Sequence, residues 1–172
     1  MRKILLVVDM QNDFIDGALG SDDAVSIVTG VSKRISEFDG EIIFTRDTHF
    51  EDYLSTAEGR KLPVEHCIKN SHGWQISSLL PIPDGARIVD KETFGSPALA
   101  EMLSEENRES PIAEIELVGL CTDICVISNA FLLKIYLPEC EIFVNSALCR
   151  GVTPESHANA LSAMASCQIN VI

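Results

Sequence analysis

Lys3-Ile4-Leu5-Leu6-Val7-Val8-Asp9 is the stretch whose reading decides the fold: an unbroken apolar run that ends on a carboxylate. A strand with one face in water alternates apolar and polar residues, whereas a strand covered on both faces is apolar throughout. The run therefore predicts a buried strand of a parallel sheet. Segments of similar character follow at Glu41–Arg46, Ala86–Asp90, Glu114–Leu120, Glu141–Asn145 and Gln168–Ile172. Helical spacing fills the intervals at Asp22–Phe38, Ser96–Glu106, Thr122–Tyr136 and Pro154–Ala165. In the first of these, Val25, Val28, Ile35 and Phe38 make the apolar stripe; in the last, Thr153 suits a cap and Pro154 a first helical turn. The alternation predicts one α/β domain over residues 1–172, three layers (α/β/α) around a roughly six-stranded parallel sheet.

The composition removes several classes of function. The chain has 172 residues with 26 acidic against 13 basic side chains, a formal net charge of −13. Nucleic acid and anionic membrane surfaces both demand clustered Lys and Arg, so neither is expected as a partner. No apolar run approaches the roughly 20 residues of a membrane span, and the start of the chain does not read as a leader. The six cysteines, at 67, 121, 125, 140, 149 and 167, are scattered, and a chain of this size needs no disulfides to build a core. They read as reduced thiols of a cytoplasmic protein. A homo-oligomer is compatible with this composition, with the neighbourhoods of Cys140 and Cys149 as candidate subunit surfaces.

Ligands of open parallel sheets bind beyond the carboxyl ends of the strands. The residues leaving those ends are Asp9, Asp47, Lys91 and the segment Cys121 to Cys125. With Thr122 as N-cap, Cys125 falls in a first helical turn, where unpaired N–H groups and the helix dipole favour a thiolate and can hold an oxyanion. Position alone also allows Cys125 simply to pack a helix start. Asp9, at the end of a wholly apolar strand, is expected to be desolvated, with a raised pKa that suits a proton acceptor; capping the next loop is the alternative. Lys91 could cross the crevice to pair with Asp9 and lower the thiol's pKa, or could be a solvated loop lysine.

Asp47-Thr48-His49 at one strand end, with His66 closing on it through the long connection from Asp47 to Gly85, is a plausible ligand set for Zn²⁺, Mn²⁺ or Fe²⁺. His72 could be a further ligand but reads better as a surface-loop histidine. A thiolate site from Cys67, His66, Cys121 and Cys125 is disfavoured, because Cys121 and Cys125 span a strand-to-helix turn and no second cysteine pair exists. Neither G-x-G-x-x-G nor G-x-x-x-x-G-K-[ST] occurs.

Five motifs in order resemble the isochorismatase-like cysteine hydrolase superfamily, and within it the nicotinamidase-like branch. They are Val8-Asp9-Met10-Gln11-Asn12-Asp13-Phe14, Asp47-Thr48-His49-Phe50, Leu62-Pro63 through His66-Cys67, Lys91-Glu92-Thr93-Phe94, and Gly119-Leu120-Cys121-Thr122-Asp123-Ile124-Cys125-Val126. The resemblance covers essentially the whole chain. It implies a Rossmann-like fold and a catalytic triad of Asp9, Lys91 and Cys125, with backbone N–H groups of Cys121 and Cys125 as the oxyanion hole. A non-proline cis peptide at Leu120–Cys121 is implied as well. It further implies a divalent metal, zinc first, held by Asp47, His49 and His66, with Glu58 as a further acidic ligand. The metal would hold the pyridine nitrogen of the substrate, and Phe14 and Phe94 would wall its ring. The implied substrate is a small carboxamide, nicotinamide first, cleaved to nicotinate and ammonia through a thioester. The segment Leu62-Pro63-Val64-Glu65 departs from the Trp-Pro-Pro or Trp-Pro-Asp of many nicotinamidases, which leaves one pocket wall open.

Three other readings stand beside this one. A metal-independent cysteine amidase of the same superfamily would cleave ureido or carbamoyl amides. Isochorismatase itself is disfavoured, since that branch works without the nucleophilic cysteine. A non-catalytic receiver, regulatory or binding module could use an acidic cluster and a lysine at strand ends, but would need neither Cys125 nor the histidines.

Overall fold

In the computed structural model, which describes all residues from Met1 to Ile172, the strands are β1 (Arg2–Val8), β2 (Glu41–Asp47), β3 (Arg87–Lys91), β4 (Ile112–Leu120), β5 (Glu141–Arg150) and β6 (Asn170–Val171). The helices are α1 (Asn12–Ile15), α2 (Asp22–Glu37), α3 (Ala57–Lys61), α4 (Pro97–Glu109), α5 (Ile127–Tyr136) and α6 (Pro154–Ser166). All strand pairs are parallel, in the order β3-β2-β1-β4-β5-β6. The order reverses between β1 and β4, so the crevice for a ligand opens at their carboxyl ends.

Alternation along β1 explains why its whole run is apolar. Ile4, Leu6 and Val8 face a core with Leu99 and Leu103 of α4, Ala130 and Leu133 of α5 and Met164 of α6. Leu5 and Val7 face the opposite core with Ile27, Val28, Val31 and Ile35 of α2. All five are fully buried, and burial of each such side chain stabilises the fold by about 1.5–3 kcal/mol. These two cores on either face of one sheet make the three layers. No helix is long and apolar enough to cross a membrane.

Several expectations are corrected. Val25 is 47% exposed, at the flank of the buried stripe of α2, which keeps the expected Val28 and Ile35 and adds Ala24, Ile27 and Val31. β5 continues past Asn145 to Arg150, because a register shift lets Cys149 and Arg150 pair with Gly119 and Leu120. β6 is shorter than expected, two residues in place of Gln168–Ile172. The Cys140 and Cys149 side chains are buried in the core. All six cysteines are free. The connection from Asp47 to Gly85 contains α3 and a short 3-10 turn at Tyr53–Ser55.

Candidate active site

Asp9 lies one residue past β1 and is fully buried, with φ at +48°, a left-handed conformation that Asp tolerates better than most residues. Thr45 of β2 holds it there. Its hydroxyl accepts from the Asp9 N–H (3.2 Å) and donates to Asp9 Oδ1 (2.6 Å). The second oxygen, Oδ2, lies 2.6 Å from Lys91 Nζ, the last residue of β3. Lys91 also approaches Asp47 Oδ1 at 3.3 Å and Cys125 Sγ at 3.5 Å, and donates to the Thr93 carbonyl at 3.2 Å. With its side chain 1% exposed, the ammonium is surrounded by acceptors and sealed from water.

Cys125 follows β4 through a tight turn. Gly119 has φ at +117°, and any Cβ there would sit 2.1 Å from the Val8 carbonyl oxygen, so only glycine lets β4 run this close to β1. The Leu120–Cys121 peptide is cis. The next residues correct the expected cap. Cys121, not Thr122, precedes the first turn, and Val126 N–H reaches back five residues to the Cys121 carbonyl (3.0 Å), a π-turn that then runs into α5. Asn129, one turn on, donates to the Cys125 carbonyl at 2.8 Å and accepts from Ser96 N–H at 3.0 Å.

Burial and charge act on the same three residues. Burial pushes the Cys125 thiol well above its ordinary pKa, and the charge of Asp9 adds to this while Lys91 opposes it. Burial and Asp9 thus work against the thiolate that a helix start favours, and Lys91 works for it. Burial likewise raises the Asp9 carboxyl above the usual aspartate range, against the pull of Lys91. Burial alone would depress the Lys91 pKa, but Asp9, Cys125 and Asp47 outweigh it and raise it. The site thus holds Lys91 against Asp9, with the Cys125 sulfur in contact with the same ammonium.

The second cluster lies beside the first. One donor atom from each of Asp47, His49, Glu58 and His66 falls within 4.8 Å of all the others. His49 Nε2 is 2.9 Å from Asp47 Oδ2 and 3.6 Å from Glu58 Oε1; His66 Nε2 is 3.7 and 3.8 Å from the same two oxygens. His66 Nδ1 bonds the Val64 carbonyl (2.8 Å), which fixes the tautomer and leaves Nε2 bare toward the cluster. His49 Nε2 is buried with no hydrogen bond. Two bare imidazole nitrogens and two carboxylates at such spacings fit one divalent ion with bonds of about 2.0–2.2 Å.

Long-range bonds assemble this cluster. His49 N–H donates to the Cys67 carbonyl (3.0 Å) and Lys69 N–H to that of His49 (2.8 Å), while Asp13 accepts from Cys67 N–H (2.7 Å). Gln11 closes a two-way bridge with the backbone of Asp47, at 2.7 and 2.8 Å. The Tyr53 ring packs tilted against His49 and edge-on against His66, 4.6 and 5.0 Å between centroids. Thr45, Gln11, Asp13 and Tyr53 were not singled out by sequence. Their partners lie up to 54 positions away and leave no local pattern. His72 is exposed and outside the cluster, as a surface-loop histidine would be.

A cavity of about 340 Å³ joins the two clusters, with Cys125 and Cys121 on one side, Asp47 and His66 on another, and a mostly apolar lining. Phe14 and Phe94 both line it, as do Leu19 and Val152, which sequence reading did not single out. The structure therefore brings together Asp9, Lys91 and Cys125, sets Asp47, His49, Glu58 and His66 beside them, and leaves one polar-walled, apolar-lined space between.

Comparison with known proteins meets this geometry. The pyrazinamidase of Pyrococcus horikoshii, solved in complex with zinc, superimposes with a TM-score of 0.85 at 26% identity, covering 100% of this chain and 99% of that one. The nicotinamidase/pyrazinamidase PncA from Bacillus subtilis gives a TM-score of 0.77 at 28% identity, with 99% of each chain covered. Among curated sequences, the isochorismatase family protein PncA of Bacillus subtilis (strain 168) is 28% identical over 175 residues, 94% of this chain and 93% of that one. Fold and relatives define an enzyme, an amidohydrolase. The isochorismatase domain model matches residues 3–172, and the chain belongs to the isochorismatase family.

Proposed function

We propose that the protein hydrolyses a small aromatic carboxamide, nicotinamide to nicotinate and ammonia, with Cys125 as nucleophile, Asp9 as general base and acid, and Lys91 as their electrostatic support. The observation that supports this most is the contact chain from Asp9 Oδ2 through Lys91 Nζ (2.6 Å) to Cys125 Sγ (3.5 Å) at the wall of the cavity. A buried thiol with a raised pKa needs a base at the moment of attack, and Asp9, itself raised, can both take and return the proton. Asp9 accepts the thiol proton as sulfur attacks the amide carbon, and the carbonyl oxygen becomes an oxyanion. Backbone N–H groups of Cys121 and Cys125 would receive that oxygen, such a donor being worth about 3–4 kcal/mol in the transition state. Asp9 then gives its proton to the leaving nitrogen, and ammonia departs from a Cys125 thioester. Asp9 next takes a proton from water, hydroxide attacks the thioester, and the acid and the free thiol are regenerated.

Asp47, His49, His66 and Glu58 would hold a divalent metal, zinc first among those that suit two imidazoles and two carboxylates. When bound it supplies a Lewis-acidic point that a ring nitrogen of the substrate can coordinate, which orients the carboxamide toward Cys125. Phe14 and Phe94 close on the ring. Ammonia release from nicotinamide by purified protein, with and without a chelator, tests the reading. Turnover that chelation suppresses and zinc restores is expected; no ammonia from nicotinamide despite bound metal would overturn the substrate.

A further inference from the structure

The end of β5 at Arg150 and the loop that follows it, with Gly151 and Val152, supply one wall of the cavity. It is anchored at its base, where Arg150 Nη1 donates to the carbonyls of Ser146 (3.3 Å) and Cys149 (2.6 Å). Farther out it has little packing of its own, and Val152 is 66% exposed. What holds it there is Asp123, two residues before the nucleophile: Val152 N–H donates to Asp123 Oδ1 at 3.1 Å and to Oδ2 at 3.3 Å. A second tie lies alongside, where Thr122 Oγ1 and His157 Nδ1 share a hydrogen bond of 2.8 Å between the π-turn and α6. Gly151 fits beneath these ties only because it lacks a side chain; a Cβ would stand 2.9 Å from His157 N and 3.0 Å from Asp123 Oδ1.

From this geometry we infer that Asp123 is a positioning residue that sets the Arg150–Val152 wall against the Cys125 turn and thereby fixes how the substrate ring is held. The inference rests on the cysteine-amidase reading above for its kinetic consequence, but not for the bond itself. A carboxylate accepting from a backbone N–H is among the stronger hydrogen bonds, and it links the turn that carries the nucleophile to a wall whose outer residue, Val152, is 66% exposed. Losing it should loosen ring binding and widen the cavity mouth while leaving Asp9, Lys91 and Cys125 in place.

The test compares wild type, Asp123→Ala and Asp123→Asn by two readouts. With nicotinamide, Asp123→Ala is expected to raise KM roughly tenfold with kcat within about threefold, while Asp123→Asn, which keeps one acceptor oxygen, stays within about threefold in both. At the Cys125 peptide, followed by mass spectrometry, the ratio of N-ethylmaleimide to iodoacetamide reaction rates should rise in Asp123→Ala and not in Asp123→Asn. An unchanged KM, or a fall in kcat and in both alkylation rates at unchanged KM, overturns the inference. Should Asp123→Ala fail to fold, Gly151→Ala displaces the same wall with the carboxylate intact and must show the same KM and alkylation shifts. A wild type inert to nicotinamide would sink the substrate reading alone; the alkylation ratio then decides, a rise supporting the positioning role and no rise overturning it.

Discussion

Lys91 Nζ sits 2.6 Å from Asp9 Oδ2 with both side chains sealed from water, and the same ammonium reaches Asp47 Oδ1 at 3.3 Å. One buried cation thus serves two carboxylates, one in each cluster. Removing it leaves both charges uncompensated in a dry site. Lys91→Met is expected to cost about 3–5 kcal/mol in denaturant unfolding, and Lys91→Met with Asp9→Asn to cost less than the single change. A single variant as stable as wild type would show that the pair is not buried as described.

The pH dependence of kcat/KM should carry the mark of the same burial. Asp9 must be ionised to accept the thiol proton, and its pKa is raised by desolvation. Activity is therefore gained as pH rises through that raised value and lost as pH falls below it. The acid limb should lie clearly above the ordinary aspartate pKa of about 3.9, as read from pH–rate profiles of the free enzyme. A limb at the ordinary value would remove Asp9 from the role of base.

The fold was legible because its signal is local. The apolar run of β1 and the strand-helix alternation mark a sheet buried on both sides, and every long element was located within a few residues apart from the end of β5. What was not legible depends on contacts between distant residues. α1 and α3 are too short to show a period, and the π-turn at Thr122–Val126 starts after Cys121 with no side-chain cap to mark it. The candidate site residues could be named because each leaves the carboxyl end of a strand or follows a family motif. The polar groups that position them, Thr45, Gln11, Asp13 and Asp123, bond to backbone far along the chain, which no spacing reveals.

At the opposite end of the sheet, Arg2, Glu41, Arg87 and Glu106 form a closed ring of ion pairs joining β1, β2, β3 and α4, with Arg87–Glu106 at 2.6 Å and Arg2–Glu106 at 2.7 Å. Glu41 is held below its usual pKa first by its bond to Arg2; for Glu106 burial pushes upward, and Arg2 and Arg87 outweigh it. A depressed folded pKa adds stability above the unfolded value and loses it as pH falls through the folded one. Because these side chains are about a third exposed, Glu106→Gln should cost only about 1 kcal/mol, a difference that disappears in acid unfolding series below the glutamate range. A cost that persists there would have to come from packing.

Metal binding should be visible without turnover. Adding Zn²⁺ to metal-stripped protein is expected to raise Tm by roughly 5–10 °C at a concentration about a hundredfold above Kd. His49→Ala and His66→Ala should each remove most of that rise, and Glu58→Gln less of it, since Glu58 is the most exposed member of the cluster. An equal rise in the histidine variants would place the ion elsewhere.

The central claim is that Cys125 carries the acyl group, and acid-quenched turnover of nicotinamide followed by mass spectrometry tests it most directly. The account predicts an adduct of one nicotinoyl group on the peptide containing Cys125, absent from Cys125→Ala, whose ammonia release should fall by about 10³-fold or more. Full ammonia release from Cys125→Ala, or an adduct on any other cysteine, would contradict it.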